Sequence, residues 1–190
     1  MERLKNNFDE EFPESLVTVI KKCEDNLKII ENILKDKDCK TLGEFYHHAD
    51  NKTKTLLNAF ESSGYLSNVV TKNSKSKEYN ELKGLYIFGE VVGNKTIPVY
   101  VGISQSIYRR LRQHGWGKTH NQATLAYAMA AKKISHSGKR NNELDLSIEQ
   151  ETIQNFKIAI IPEPLDFDLY FMEVYIAGVL KTKWNSFRTH

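Results

Sequence analysis

Apolar residues between positions 12 and 36 recur at alternating four- and three-residue steps: Leu16, Ile20, Cys23, Leu27, Ile30 and Leu34. That spacing lays them along one stripe of a helix with heptad character. Barely three heptads fit, which favours packing onto the chain's own domain over a coiled-coil dimer. A second helix is predicted through Lys52 to Phe60, and Ser63-Gly64 breaks it. Residues 1–80 thus read as a helical N-terminal extension with no evident chemistry. His47 and His48 are adjacent and point apart, so they read as surface residues.

The period then changes. Gly84 to Val92 and Thr96 to Ile103 read as two strands joined by a turn at Gly93-Asn94. Pro98 cannot donate to a ladder, which assigns the second strand to a sheet edge. A strict two-residue turn would place Tyr86 opposite Val101, with Tyr86 and Tyr100 on opposite faces. A longer loop or a bulge would bring the two tyrosines to one face, and that is the expectation. Ser104 is the expected N-cap of a helix ending near His114. A helix over Gln122 to Lys133, a basic loop from Ser135 to Asn142, and a doubtful helix over Asp145 to Asn155 follow. Phe156 to Ile161 reads as a third strand, and Asp168 to Leu180 as the last helix, capped by Asp168. The expected class is α+β, a small three-stranded antiparallel sheet flanked by helices.

The net charge of +3 hides a segregation. From Lys83 to Arg140 the only acid is Glu90, against Lys83, Lys95, Arg109, Arg110, Arg112, Lys118, Lys132, Lys133, Lys139 and Arg140. The following segment is acidic. One basic block of this kind points to a polyanionic partner, nucleic acid above all. Cys23 and Cys39 have no metal-type spacing, and no secretory signal precedes them, so a reduced, cytoplasmic protein is expected. No apolar run is long enough to span a bilayer.

Two charged residues stand on faces that should be apolar. On the first basic helix, Ile107 and Leu111 form the apolar stripe, and Arg110 and His114 project together, four residues apart. Taken alone, Arg110 reads as a snorkelling side chain. On the last helix, Leu169, Met172, Ile176 and Leu180 define the buried face, and Glu173 falls inside it. A carboxylate there needs a cation, a metal or hydrogen-bond donors. It is either half of a structural ion pair, Arg110 being one candidate partner, or a single-carboxylate ligand for Mg²⁺.

The segments Gly84-Leu85-Tyr86 and Tyr100-Val101-Gly102, with the basic helix after them, resemble the opening of the GIY-YIG nuclease family. Leu85 and Val101 depart from its motif. The resemblance spans about residues 83–187. It implies Tyr86, Tyr100, Arg110, His114 and Glu173 as catalytic residues, with Glu173 the ligand of Mg²⁺ or Mn²⁺. Asn185 and Gly102 are implied as supporting residues. By similarity, Tyr86 is base or proton relay, Arg110 holds the scissile phosphate, and Tyr100 orients water or phosphate. A free phenol with a pKa near ~10 is too weakly acidic for relay work unaided. A cation must lower it, or His114 must take the proton onward.

Other motifs carry less. His114 with His120-Asn121 lacks the strands of a histidine-asparagine-histidine nuclease. A zinc site from His114 and His120 lacks further ligands. Trp116 reads as a core anchor before a base-stacking residue. The resulting expectation is a metal-dependent DNA endonuclease, of restriction, repair or mobile-element type, built from residues 81–190 with the extension 1–80. Arg109, Arg112, Lys118, Lys132, Lys133, Lys139 and Arg140 would contact the nucleic acid. A homodimer is an open option, because one active site cuts one strand at a time. The competing readings are a nucleic-acid-binding module that does not cleave, and a structural protein with a buried Arg110–Glu173 pair.

Overall fold

A computed structural model describes residues 4–7, 9–47, 71–72, 80–133 and 144–187. Helices α1 (Leu16–Lys35) and α2 (Leu42–His47) lead the chain. Two-residue strands β1 (Thr71–Lys72) and β2 (Asn80–Glu81) pair with each other. The hairpin β3 (Gly84–Val92) and β4 (Lys95–Ser104) follows. Next come α3 (Ile107–Trp116), α4 (Thr124–Lys133), α5 (Ser147–Gln154), β5 (Lys157–Pro162) and α6 (Asp166–Leu180). The main sheet has the order β4-β3-β5, antiparallel throughout. This is the α+β architecture expected from the periodicity, and the doubtful helix at 145–155 is real as α5. The predicted helix at 52–60 and loop at 135–142 lie outside the described residues.

Alternation along β3 divides the core. Tyr86 and Phe88 enter one cluster with Tyr108, Leu111, Leu125, Met129 and Ile160. Leu85 and Ile87 enter the other with Val101, Ala159, Leu169, Met172 and Ile176. Helix α1 belongs to this second cluster. It buries Val19, Cys23, Ile30 and Leu34, while Leu16 and Ile20 of the expected stripe are largely outside. Its apolar face therefore packs on its own domain. Lys22 ties it to the start of α6, bridging Glu163 at 2.5 Å and Asp168 at 2.9 Å, both carboxylates nearly fully buried. That geometry corrects the cap assignment: Leu165 is the N-cap of α6, and Asp168 lies inside the first turn as Lys22's partner.

The hairpin also corrects one expectation and bears out another. Ser106, not Ser104, is the N-cap of α3; the Ser104 hydroxyl instead accepts the Ser106 N–H at 2.9 Å. The turn has only two residues, since Val92 pairs with Lys95. The register nevertheless shifts between Phe88, opposite Tyr100, and Gly89, opposite Pro98. Val99 is the extra residue of a bulge. The bulge sets Tyr86 opposite Gly102 and puts Tyr86 and Tyr100 on one face, their ring centroids 6.2 Å apart.

Both outer strands are covered. On β4, the Asn185 side chain accepts the Val101 N–H and donates to the Val101 carbonyl, each at 2.8 Å, and the Trp184 N–H donates to the Val99 carbonyl. On β5, Thr41 bridges Lys157, and the Ile158 N–H donates to the Lys40 carbonyl.

Candidate active site

The Tyr86 phenol lies across Gly102. A Cβ on that glycine would stand 2.4 Å from the Tyr86 hydroxyl and 3.0 Å from the Tyr100 ring. Only a residue without a side chain lets both rings occupy this face. The Tyr86 hydroxyl then meets His114 Nε2 at 2.7 Å. The imidazole is fully buried, walled by Tyr86, Phe88 and Tyr100 with centroids 5.5 to 5.7 Å away. Its Nδ1 is buried and has no hydrogen-bond partner among the described residues. With one nitrogen engaged and the other buried without a partner among the described residues, the charged form of the ring is disfavoured. Burial, helped by the nearby Arg110 charge, drives its pKa well below 6.5.

Arg110 lies one helical turn before His114 on α3. Its guanidinium donates to the main-chain carbonyls of Asn121 (3.3 Å) and Gln122 (3.0 Å) and to the Thr124 hydroxyl (2.6 Å). Its charge also acts on both phenols. The side chain is thus clamped across the loop that leads into α4, not snorkelling. Burial holds the Tyr86 pKa well above 10.0 against the lowering pull of Arg110, and Tyr100 is likewise raised. Of the two routes open from the sequence, a phenol lowered by a cation or a proton handed to His114, the first does not hold for Tyr86. Desolvation of a fully buried hydroxyl outweighs one partly solvated cation here.

Glu173, half-buried on α6, places its charge near Tyr100. It makes no ion pair or hydrogen bond with any described residue, so no Arg110–Glu173 pair exists. Burial raises its pKa above 4.5. A half-buried carboxylate without a protein cation suits a divalent ion that keeps most of its water. Among the described residues no cluster of three or more His, Cys, Asp or Glu could hold a metal, so any ion here would rest on one carboxylate.

Of the sequence-predicted residues, Tyr86, Tyr100, Arg110 and His114 are brought together, the Glu173 charge acts on Tyr100 from α6, and Gly102 and Asn185 make room and pin β4. The sequence reading missed Phe88 and Thr124. Phe88 was legible as the next same-face residue after Tyr86, and Thr124 as a hydroxyl opening a helix one loop beyond Arg110. The basic residues are more dispersed. Arg109 and Lys118 are exposed, and Arg112 is half-exposed. Lys133 is bonded at 2.7 Å to the buried Glu149, which makes it a tie between α4 and α5. Lys139 and Arg140 lie outside the described residues. Trp116 is 41% exposed and edges onto Tyr46, so it is less of a core anchor than expected.

Residues 82–159 match the family model of the GIY-YIG catalytic domain. The chain carries a GIY-YIG domain. The matched segment holds Tyr86, Tyr100, Gly102, Arg110 and His114; Glu173 and Asn185 lie beyond it. No curated protein and no solved structure matches the chain. The GIY-YIG domain indicates the nuclease superfamily, which implies a nucleic-acid substrate and whose members generally depend on a divalent metal. No helix among the described residues is long and apolar enough to cross a membrane.

Proposed function

We propose that this chain is a metal-dependent DNA endonuclease acting in the cytoplasm. Its nuclease unit spans residues 81–190, and helix α1 of the 1–80 extension is packed onto it. The observation that carries this reading is a phenol hydrogen-bonded to a buried imidazole, a second phenol and a clamped guanidinium gathered on one face of the sheet, with the charge of the half-buried α6 carboxylate, which has no partner among the described residues, acting on the second phenol.

Each group has a task that its surroundings suit. Arg110 is held by two carbonyls and a hydroxyl, so its planar fork is oriented before a phosphate arrives. Tyr100, which feels the charges of both Arg110 and Glu173, orients water or a phosphate oxygen through its hydroxyl. Tyr86 relays the proton of the attacking water: its hydroxyl accepts that proton as it passes its own to His114 Nε2. The phenol never has to persist as a phenolate, which its raised pKa forbids. The imidazolium is disfavoured in the free protein, and the negative charge of a bound phosphodiester offsets that penalty. Glu173 would hold Mg²⁺ or Mn²⁺, which supplies charge stabilisation to the phosphate and the leaving oxygen. Arg109, Arg112, Lys118 and Lys132 flank the site as phosphate contacts.

Conversion of supercoiled plasmid to nicked or linear form in Mg²⁺ tests this. Wild type should cut, and Glu173→Ala and Arg110→Ala should each lose about 10²–10³-fold in rate, with plasmid binding kept in Glu173→Ala. Binding without cutting by the wild type would make the protein a non-cleaving module. A discrete fragment ladder would point to a restriction-type enzyme.

A further inference from the structure

Beside the proposed site lies a cleft of about 750 Å³ that the catalytic reading leaves unused. One wall is α4, through Ala128 and Lys132; the other is the segment after α6, through Lys183, Trp184 and Phe187. Two features join it to the site. Thr124, Ala128 and Lys132 follow one another at four-residue steps along a single face of α4, and Thr124 is the residue that takes the Arg110 guanidinium. At the other wall, Trp184 packs against the cluster that contains Tyr100, and Asn185 is bonded to Val101 on β4.

The lining is chemically mixed in an informative way. The Lys132 and Lys183 ammonium groups lie over the Trp184 ring, at 5.4 and 5.9 Å from its centroid. Lys183 is also paired with Glu90, while Lys132 is exposed and has no carboxylate partner among the described residues. Phe187 is 54% exposed at the cleft. Cations alone would suit any phosphate backbone. Cations beside an open aromatic ring, Phe187, suit a strand whose bases are unstacked and available. A base paired inside a duplex offers no free face to Phe187.

Resting on the nuclease reading above, we propose that this cleft binds unpaired nucleotides adjoining the scissile phosphate, with Phe187 stacking on a base and Lys132 contacting a phosphate. Thr124 to Lys132 is eight residue steps along the helix, ~12 Å. The substrate class that follows is DNA with a single-stranded stretch beside the cut, such as an overhang, a gap or a flap.

The test uses the full chain carrying Glu173→Gln, so that substrate survives. A fluorescein-labelled oligo-dT of about 15 nucleotides and a blunt duplex of equal length are titrated at two salt concentrations. Phe187→Ala should weaken oligo-dT binding about tenfold or more. Phe187→Leu, which keeps apolar bulk without a ring, should do the same. Lys132→Gln should reduce the salt slope for oligo-dT by about 0.7. Duplex affinity should change less than about threefold in all three, which marks the loss as specific to unpaired bases. Unchanged oligo-dT binding in the Phe187 variants, or equal losses for oligo-dT and duplex, would overturn the proposal. Plasmid cutting by the chain with Glu173 intact separates the two ideas: cutting with unaltered oligo-dT affinity sinks the cleft alone, and absent cutting sinks the nuclease reading while the affinity data still judge the cleft.

Discussion

Neighbouring residues of β3 serve two different interiors. Tyr86 and Phe88 face a core that contains hydroxyls, an imidazole and, at its margin, a guanidinium. Leu85 and Ile87 face a core of aliphatic, thiol and thioether groups, closed by α1 and α6 and stitched at its edge by Lys22. The first face keeps buried polar atoms that the protein does not fully satisfy, His114 Nδ1 among them. Such atoms cost stability and are retained where they have work to do. The second face pairs its buried carboxylates with Lys22, although Asp168 Oδ1 is likewise left without a partner, and is otherwise largely apolar. The difference teaches that reactivity and stability are divided by a period of two residues, so adjacent substitutions should separate them.

The sharpest test exchanges one residue on each face. Leu85→Ala should destabilise the protein by about 2–5 kcal/mol, read by denaturant unfolding, while the folded fraction keeps its cleavage rate. Tyr86→Phe should cut the rate by about 10²-fold or more and cost only about 1–3 kcal/mol, from leaving His114 Nε2 unpartnered. If both variants lose rate and stability in step, the division is wrong.

Lys22→Ala comes next. It leaves Glu163 and Asp168 buried without a counter-charge, a loss of about 3 kcal/mol before discounting for a lysine that is itself partly solvated. Equilibrium unfolding should show it, with cleavage by the folded protein unchanged at low temperature. A loss of cleavage larger than the unfolded fraction explains would mean that α1 reaches the chemistry.

Gly102→Ala attacks the reactive face from beneath. The added methyl must push Tyr86 aside, so the rate should fall about 10²-fold with a stability loss of about 1–3 kcal/mol. Normal activity would show that the tight seat of the phenol is not needed.

The smallest effect is a pH slope. The folded-state pKa of His114 is depressed below 6.5, so the unfolded chain binds more protons there. Its contribution to stability is full above about pH 6.5 and is lost as pH falls from there toward the folded value. His114→Gln should flatten this part of the stability profile between neutral and acidic pH. An unchanged slope would show that the imidazole is not held neutral.

Much of this was readable before any coordinates. The switch from a 3.6- to a 2-residue period located the sheet, and Glu173 and Arg110 stood out as charges on apolar faces. Pro98 marked the edge strand. What escaped the sequence depended on pairing across distance. Asp168 looked like a cap because its partner Lys22 lies 146 residues away. Val99 gave no sign that it would bulge, although the shared face of the two tyrosines depends on it. Lys133 looked available for DNA until its buried partner Glu149 was placed. The depth at which Tyr86 sits, and hence the direction of its pKa, depends on helices that no local pattern positions.

The covered flanks of the sheet have a consequence for how copies of this chain can meet. A three-stranded sheet offers two open ladders to any passing strand, the usual route to ribbon-like polymers. Here the Asn185 amide imitates a neighbouring backbone along β4, and the stretch from Lys40 to Leu42 does the same along β5. Self-association by strand addition is discouraged on both sides.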